Sequence, residues 1–248
     1  MRTGAPRRRV LIRAERTCHA RHASPGFPRC RTGLIARATA AGASIIVVPE
    51  LCVTESLAHE LRDWVRRPEG PRLLVAGSYH HQDDTSPWHR RNTAIAWVRG
   101  DDRPLTHDKY SPADRPVVED IQPSGWPELR VYVTNDGWHL VIAICRDLLN
   151  AHAVHALTAA GVNLVLVPAM SETLMAFGGP AAQLVGACQA FVAVANNPSE
   201  WSHDDVVARA PARALFGHPA LGQQTRFVRP QDPEPGPWTP RRARTARR

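Results

Sequence analysis

Apolar and polar positions alternate along this chain in two rhythms. Short runs of small and β-branched residues, bounded by turn formers, read as strands: Ala43–Val48, Leu73–Tyr79, Asn92–Val98, Leu105–Lys109, His139–Ile144, Asn163–Ala169 and Phe191–Asn196. Arg9–Ile12 is a further possible strand, and Ala210–Gly217 reads as a last strand and turn. Between them lie stretches of helical period. Gly33–Ala41 is a short helix stopped by Gly42. Thr54–Arg67 is amphipathic, with Leu57, Leu61, Trp64 and Val65 on one face and Pro68-Glu69-Gly70-Pro71 as its terminator. Ala151–Ala160, ended by Gly161, and Ala181–Ala190 are the remaining helices. His80–Arg90 and Ser111–Pro127 read as loops, and Gly100–Arg103 as a hairpin-like turn. Strands alternating with helices argue an α/β sheet covered by helices.

Three strands end in chemistry. The run His139–Ile144 is broken abruptly by Cys145-Arg146-Asp147, which places a cysteine at a strand end. A lone cysteine is usually a buried small hydrophobe. A rigid strand terminus is also where a thiol nucleophile can be presented, provided a base or cation lies near. The run Ala43–Val48 ends in Pro49-Glu50, where desolvation can raise a carboxylate toward the range of a general base. The third terminus carries Lys109, the only lysine; every other residue among the 31 Lys and Arg is arginine. Its retention points to a task for a compact ammonium that a guanidinium does not meet.

Glu50, Lys109 and Cys145 in that order, each at the end of an apolar strand, resemble the nitrilase superfamily of carbon-nitrogen hydrolases. Val48-Pro49-Glu50-Leu51 resembles the family's Pro-Glu motif, His107-Asp108-Lys109 its lysine motif, and Ile144-Cys145-Arg146-Asp147 its Cys-x-Asp elbow. Gly77-Ser78-Tyr79 and Arg91-Asn92-Thr93-Ala94 match family segments between the first two motifs. Asn163–Ala169 and Phe191–Asn196 match the strands after the elbow, so the resemblance runs from about Gly33 to Gln224. It implies an αββα sandwich, assembly as a homo-oligomer (dimer or larger), and no metal or organic cofactor. It also implies cleavage of a small-molecule amide, in preference to a nitrile, by a Glu-Lys-Cys triad and a thioester intermediate. The family has a second glutamate between its lysine and its cysteine. Glu119 resembles it, with Asp114 and Asp120 as competing candidates. Loops near Tyr110, Arg146, Met170 and Ser171 are expected to line the pocket. The chain departs from the family at its ends and at Cys188-Gln189-Ala190, where a glutamate is usual.

Composition adjusts this picture in a few places. With 248 residues and 43% hydrophobic content the chain can form one large domain, expected over residues 33–224. Residues 1–32 form an Arg-rich segment and 225–248 a Pro- and Arg-rich tail. The formal charge of +8 belongs to those ends, and the stretch between them is mildly acidic. The tails could meet nucleic acid, yet no aromatic residue interleaves the C-terminal Arg run, which favours solvated termini. The 5 cysteines have no framework spacing, which suggests reduced thiols and a cytoplasmic setting. No apolar run approaches the roughly twenty residues of a membrane span. Cys18, His19, His22 and Cys30 fit no common zinc spacing, His152 and His155 lack a third ligand, and His80 and His81 read as solvated loop residues. A reading from another class is a nitrilase-fold binding or regulatory module without activity, suggested by the divergent ends and opposed by the intact trio.

Overall fold

The computed structural model describes residues 10–12, 35–83, 86–114, 118–123, 128–197, 212–220 and 224–228. The residues of the Cys18/His19/His22/Cys30 grouping, most of the N-terminal segment, and the tail after 228 lie outside these. Two mixed sheets form the frame. The first orders β1 (Val10–Ile12), β2 (Ile45–Val47), β3 (Leu73–Asp83), β4 (Ser86–Val98) and β5 (Leu105–Asp108) side by side. Its first three strands run parallel and its last three antiparallel. The second sheet holds β6 (Tyr132–Val133), β7 (His139–Ile142), β8 (Leu164–Ala169), β9 (Phe191–Asn196), β10 (Ala214–Gly217) and β11 (Thr225–Val228), paired in that order. There β7, β8 and β9 are parallel to one another, and the outer pairs are antiparallel.

Side-chain alternation along β3 and β4 explains the layering. Leu73, Val75, Ala94 and Ala96 join one apolar cluster with the buried residues of β7, β8 and β9. The alternate positions, Leu74, Ala76, Ile95 and Trp97, form a second cluster with the helices α1 (residues 35–40), α2 (Glu55–Glu60) and α3 (Arg62–Arg66). The first sheet is therefore apolar on both faces, one against the other sheet and one against helices. The central strand β8 is buried at all its positions, as a parallel strand covered on both faces must be. Buried residues of α4 (Ala151–Ala159) and α5 (Gly178–Cys188) pack into the first cluster. The Thr54 hydroxyl caps α2 by accepting from the Leu57 N–H, and Asn150 caps α4 by accepting from His152 and Ala153. Among the described residues, no helix is long and apolar enough to cross a membrane.

Three sequence expectations change here. The single helix expected over Thr54–Arg67 is broken at Leu61, although Leu57, Leu61 and Val65 do share a buried face. The stretch His80–Arg90, expected as a loop, is largely the arms of a β3–β4 hairpin, with His80 opposite Asn92 and His81 opposite Arg91. Backbone pairing with β4 imposes a strand that polar side chains conceal. Thr225–Val228, inside the stretch read as tail, is a strand paired with β10. The possible strand at Val10–Ile12 is present, parallel to β2.

Gly77 sits where the β3–β4 register shifts, between Val75 and Ser78, with φ +77°. A Cβ added there would lie 2.5 Å from the Pro49 carbonyl oxygen, one residue before Glu50. Gly77→Ala is expected to destabilise by about 1–3 kcal/mol from its φ alone. The clash with Pro49 should also impair whatever Glu50 does. Urea unfolding checks this, and a variant as stable as wild type would contradict it.

Candidate active site

The sheets deliver functional side chains to one end of the molecule. Glu50 follows β2, Lys109 follows β5 and Cys145 follows β7, while Met170 follows β8. These are the carboxyl ends of their strands, where α/β sheets commonly place their ligand sites. The trio is buried, with Glu50 2%, Lys109 3% and Cys145 5% exposed. All three border a cavity of about 810 Å³ that also touches Glu119, Arg146 and Met170.

Lys109 Nζ is the hub. It donates to Glu50 Oε1 at 2.7 Å and to Glu119 Oε2 at 2.6 Å. An ammonium has three N–H groups, so one remains for a third partner. Glu50 Oε1 also accepts from Asn92 Nδ2 at 2.9 Å, and Glu50 Oε2 accepts from the Met170 N–H at 2.9 Å. The Cys145 thiol lies within reach of the charge of the same carboxylate and 4.0 Å from the Met170 carbonyl.

Of the three acids considered from sequence, geometry brings Glu119 to the trio. Besides Lys109, it accepts from Asn92 Nδ2 at 2.7 Å and from the Ala113 N–H at 3.0 Å, with His80 Nε2 at 3.1 Å. Asp114 instead pairs with Arg146 on the cavity rim, and Asp120 is exposed near Arg90. Tyr110 is not among the residues that border the cavity. Its backbone N–H, with that of Ser111, donates to Asp147 Oδ1.

Asp147 ties the two sheets' contributions together. Its Oδ2 accepts from the Ile144 N–H at 3.1 Å and meets His107 Nε2 at 2.9 Å, both residues being buried. One carboxylate thus anchors the turn that carries Cys145 and the chain just past Lys109. The backbone at Cys145 is left-handed, φ 47°, as is that of Leu51 at φ 52°. Non-glycine residues held there cost about 1–3 kcal/mol each and cluster at functional sites. On the far wall, buried Asn196 accepts from the Ser171 N–H and donates to the Ser171 carbonyl, fixing the loop that bears Met170.

The electrostatics follow from burial. Burial pushes the Cys145 thiol well up, and the Glu50 charge adds to this against the opposing Lys109 ammonium, so the resting sulfur is a thiol. Burial also raises Glu50 above the ordinary carboxylate value, with Lys109 pulling the other way. For Lys109 the effect of burial is overcome by the charge of Glu50 and by the charge and hydrogen bond of Glu119, which hold it protonated. Burial would raise Glu119, but hydrogen bonding from His80 and the charge of Lys109 outweigh it and bring it down to about 2. The arrangement therefore holds a neutral nucleophile, a proton acceptor of raised basicity and a permanent cation around one cavity.

Sequence reading missed His80 and Asn92. The sequence around His80 shows no cluster of partners, and the group it meets, Glu119, lies 39 residues further on. Asn92 enters the sequence reading only as part of the segment Arg91-Asn92-Thr93-Ala94. A buried amide in the strand leading to a turn was its one local signal. Among the described residues, no group of three or more His, Cys, Asp or Glu side chains is placed to hold a metal ion. Among the described cysteines, Cys145 and Cys188 are free thiols.

No protein-family profile matches the chain. No curated protein matches it in sequence. Solved structures do match it in fold. An amidase from Nesterenkonia sp. aligns with TM-score 0.59 at 20% identity, over 82% of this chain and 82% of that one. A Cys-to-Ala variant of Nesterenkonia AN1 amidase, described as from the nitrilase superfamily, aligns with TM-score 0.62 at 19% identity, over 83% and 80% of the two chains. A Glu-to-Gln variant of the Nesterenkonia sp. AN1 amidase carries the product of Michael addition of acrylamide at its active-site cysteine. It aligns with TM-score 0.58 at 21% identity, over 81% and 85%. The chain thus has the fold of these amidases.

Proposed function

We propose that this protein is a cysteine-dependent hydrolase of non-peptide carbon-nitrogen bonds, acting on small amides in preference to nitriles through Glu50, Lys109 and Cys145. The observation that carries the reading is the junction at Lys109 Nζ, 2.7 Å from Glu50 Oε1, on a cavity that the Cys145 thiol shares. The preference for amides rests on the fold likeness to amidases.

The chemistry follows from the electrostatics. Glu50 takes the thiol proton as the Cys145 sulfur attacks the amide carbon, forming the C–S bond and moving the carbonyl pair onto oxygen. The remaining N–H of Lys109, with backbone N–H groups at the Cys145 turn, stabilises that oxyanion. The intermediate collapses by breaking the C–N bond, and the leaving amine takes the proton held by Glu50. A thioester remains. Glu50 then deprotonates a water, which attacks the thioester carbon; the C–S bond breaks, the carboxylic acid leaves, and the departing sulfur takes the proton from Glu50 to restore the thiol. Glu119 anchors Lys109 from the opposite side. Arg146 and Met170 shape the pocket mouth and wall.

The same reading carries an αββα four-layer arrangement, and a hydrolase domain over 33–224 that β11 extends to 228. β1 (Val10–Ile12), from the Arg-rich N-terminal segment, joins that domain through its pairing with β2. A cytoplasmic setting accords with the free thiols, and assembly as a dimer or larger is the usual state for this architecture. A second reading, a binding or regulatory module without activity, is favoured by one feature: burial holds Cys145 as a neutral thiol.

Ammonia release from acetamide, propionamide and acrylamide separates the two. Wild type is expected to turn over at least one of them, and Cys145→Ala to lose on the order of 10⁴-fold or more while keeping its melting temperature. A wild type that releases no ammonia and forms no adduct with acrylamide by intact-mass spectrometry would favour the inactive module.

A further inference from the structure

We infer that Asn92 is a positioning residue that fixes which oxygen of Glu50 acts as the base and clamps Glu50 and Glu119 around Lys109. The inference rests on the reading of Glu50 as base. Asn92 lies on β4 and is fully buried. Its Nδ2 donates to Glu50 Oε1 at 2.9 Å and to Glu119 Oε1 at 2.7 Å, and its carbonyl accepts from the Lys109 N–H at 2.8 Å. One side chain therefore touches both carboxylates, and its backbone holds the backbone of the lysine that lies between them.

The lone pairs of Glu50 show what this accomplishes. A carboxylate offers about four acceptor sites. Oε1 is filled by Lys109 and Asn92, and the Met170 N–H takes one site on Oε2. What remains is on Oε2, so the thiol proton has one destination. Without Asn92, Oε1 would regain a free lone pair and the carboxylate could present either oxygen.

The chemical type matters as much as the position. Two carboxylates drawn together repel each other, and an amide supplies a donor to each without adding charge. The opposite amide orientation would set Oδ1 against both carboxylates. Asn92 Oδ1 is buried without a hydrogen-bond partner among the described residues. An unsatisfied buried acceptor opposes folding, and holding two donors on the acids is the compensation visible around it.

Glu50 carries the test, because a hydrogen bond donated to a carboxylate favours its ionised form. The groups facing Glu50 are the Lys109 ammonium, the Glu119 carboxylate, the Cys145 thiol, the Met170 N–H and Asn92 itself, with His80 reaching Glu119 from β3. Carboxyl ¹³C NMR of glutamate-labelled protein, with Glu50 assigned from Glu50→Gln, reads its titration directly and needs no turnover. In Asn92→Ala the Glu50 titration is expected to move up by about one unit. kcat on the best amide should fall roughly 10- to 10²-fold, with KM within about twofold. Asn92→Asp keeps the shape but loses the donors while ionised, and is expected to fall at least as far at pH 8. It also serves if the smaller side chain does not fold. An unchanged Glu50 titration, or an Asn92→Asp enzyme close to wild type at pH 8, would overturn the inference. A wild type without amide turnover would instead overturn the proposed hydrolase, and the titration would still decide the role of Asn92.

Discussion

Lys109→Arg is expected to lose on the order of 10³-fold in amide turnover, although it keeps the positive charge. Lys109 Nζ fits between two carboxylate oxygens at 2.7 and 2.6 Å in a site only 3% exposed. A guanidinium is planar, larger, and directs its N–H groups in a fixed fork. It can satisfy the two acids only by displacing one of them or by filling the space where an oxyanion would form. Lys109→Met is expected to behave differently. It leaves Glu50 and Glu119 buried without their shared cation, which should destabilise by about 3–5 kcal/mol. It should also push the Cys145 thiol and the Glu50 carboxyl further up, because Lys109 opposes both rises in the wild type. Ammonia release and urea unfolding of the two variants check this. A Lys109→Arg enzyme within about tenfold of wild type would show that charge alone suffices at this position.

Glu50→Gln is expected to lower turnover about 10²- to 10⁴-fold and to gain stability relative to wild type between pH 5 and pH 8. The stability half follows from the sign of the Glu50 shift. Burial lifts its carboxyl above 4.5, with Lys109 opposing. A carboxyl raised in the folded state stabilises the fold below its unfolded pKa, and that contribution is lost as pH rises through the folded value. At pH 8 the wild type therefore keeps an anion that burial disfavours, and the neutral amide does not. The stability of the variant relative to wild type should grow from pH 5 to pH 8. Removing the anion should also let the Cys145 thiol ionise at lower pH, since Glu50 raises it. Urea unfolding at the two pH values and the pH midpoint of Cys145 alkylation measure both effects. A stability difference that does not change with pH would refute the account of Glu50.

Much of the second sheet was legible because parallel strands covered on both faces read as unbroken apolar runs. Leu164–Ala169 and Phe191–Asn196 appear as such. The β3–β4 hairpin was legible only where it is buried. Beyond Tyr79 its arms carry His80, His81, Arg90 and Arg91. There the strand is held by backbone pairing with its partner, which leaves little trace in residue type. The same limit applied to the second acid. Asp114, Glu119 and Asp120 share one loop, and composition could not choose among them. Glu119 is distinguished by a hydrogen bond to Lys109 that depends on how that loop folds back. His80 and Asn92 sit opposite each other across β3 and β4, and both turn toward Glu119. That juxtaposition follows from strand register.

The sequence by itself determined that a carboxylate, an ammonium and a thiol stand at the ends of apolar strands, because hydrophobic burial sets strand boundaries locally and a charged residue cannot continue a buried run. It also determined the alternation of strand and helix that makes the fold α/β. Only the tertiary structure decided that these ends converge. Glu50 and Lys109 come from one sheet and Cys145 from the other, and packing the two sheets' apolar faces together brings the three to one cavity. The protonation states were decided there as well. Burial raises Cys145 and Glu50, while Lys109, His80 and the Ala113 N–H lower Glu119. The effects on Cys145 and Glu50, and that of His80 on Glu119, depend on distances between residues far apart in the chain, and such distances exist only once the core has formed.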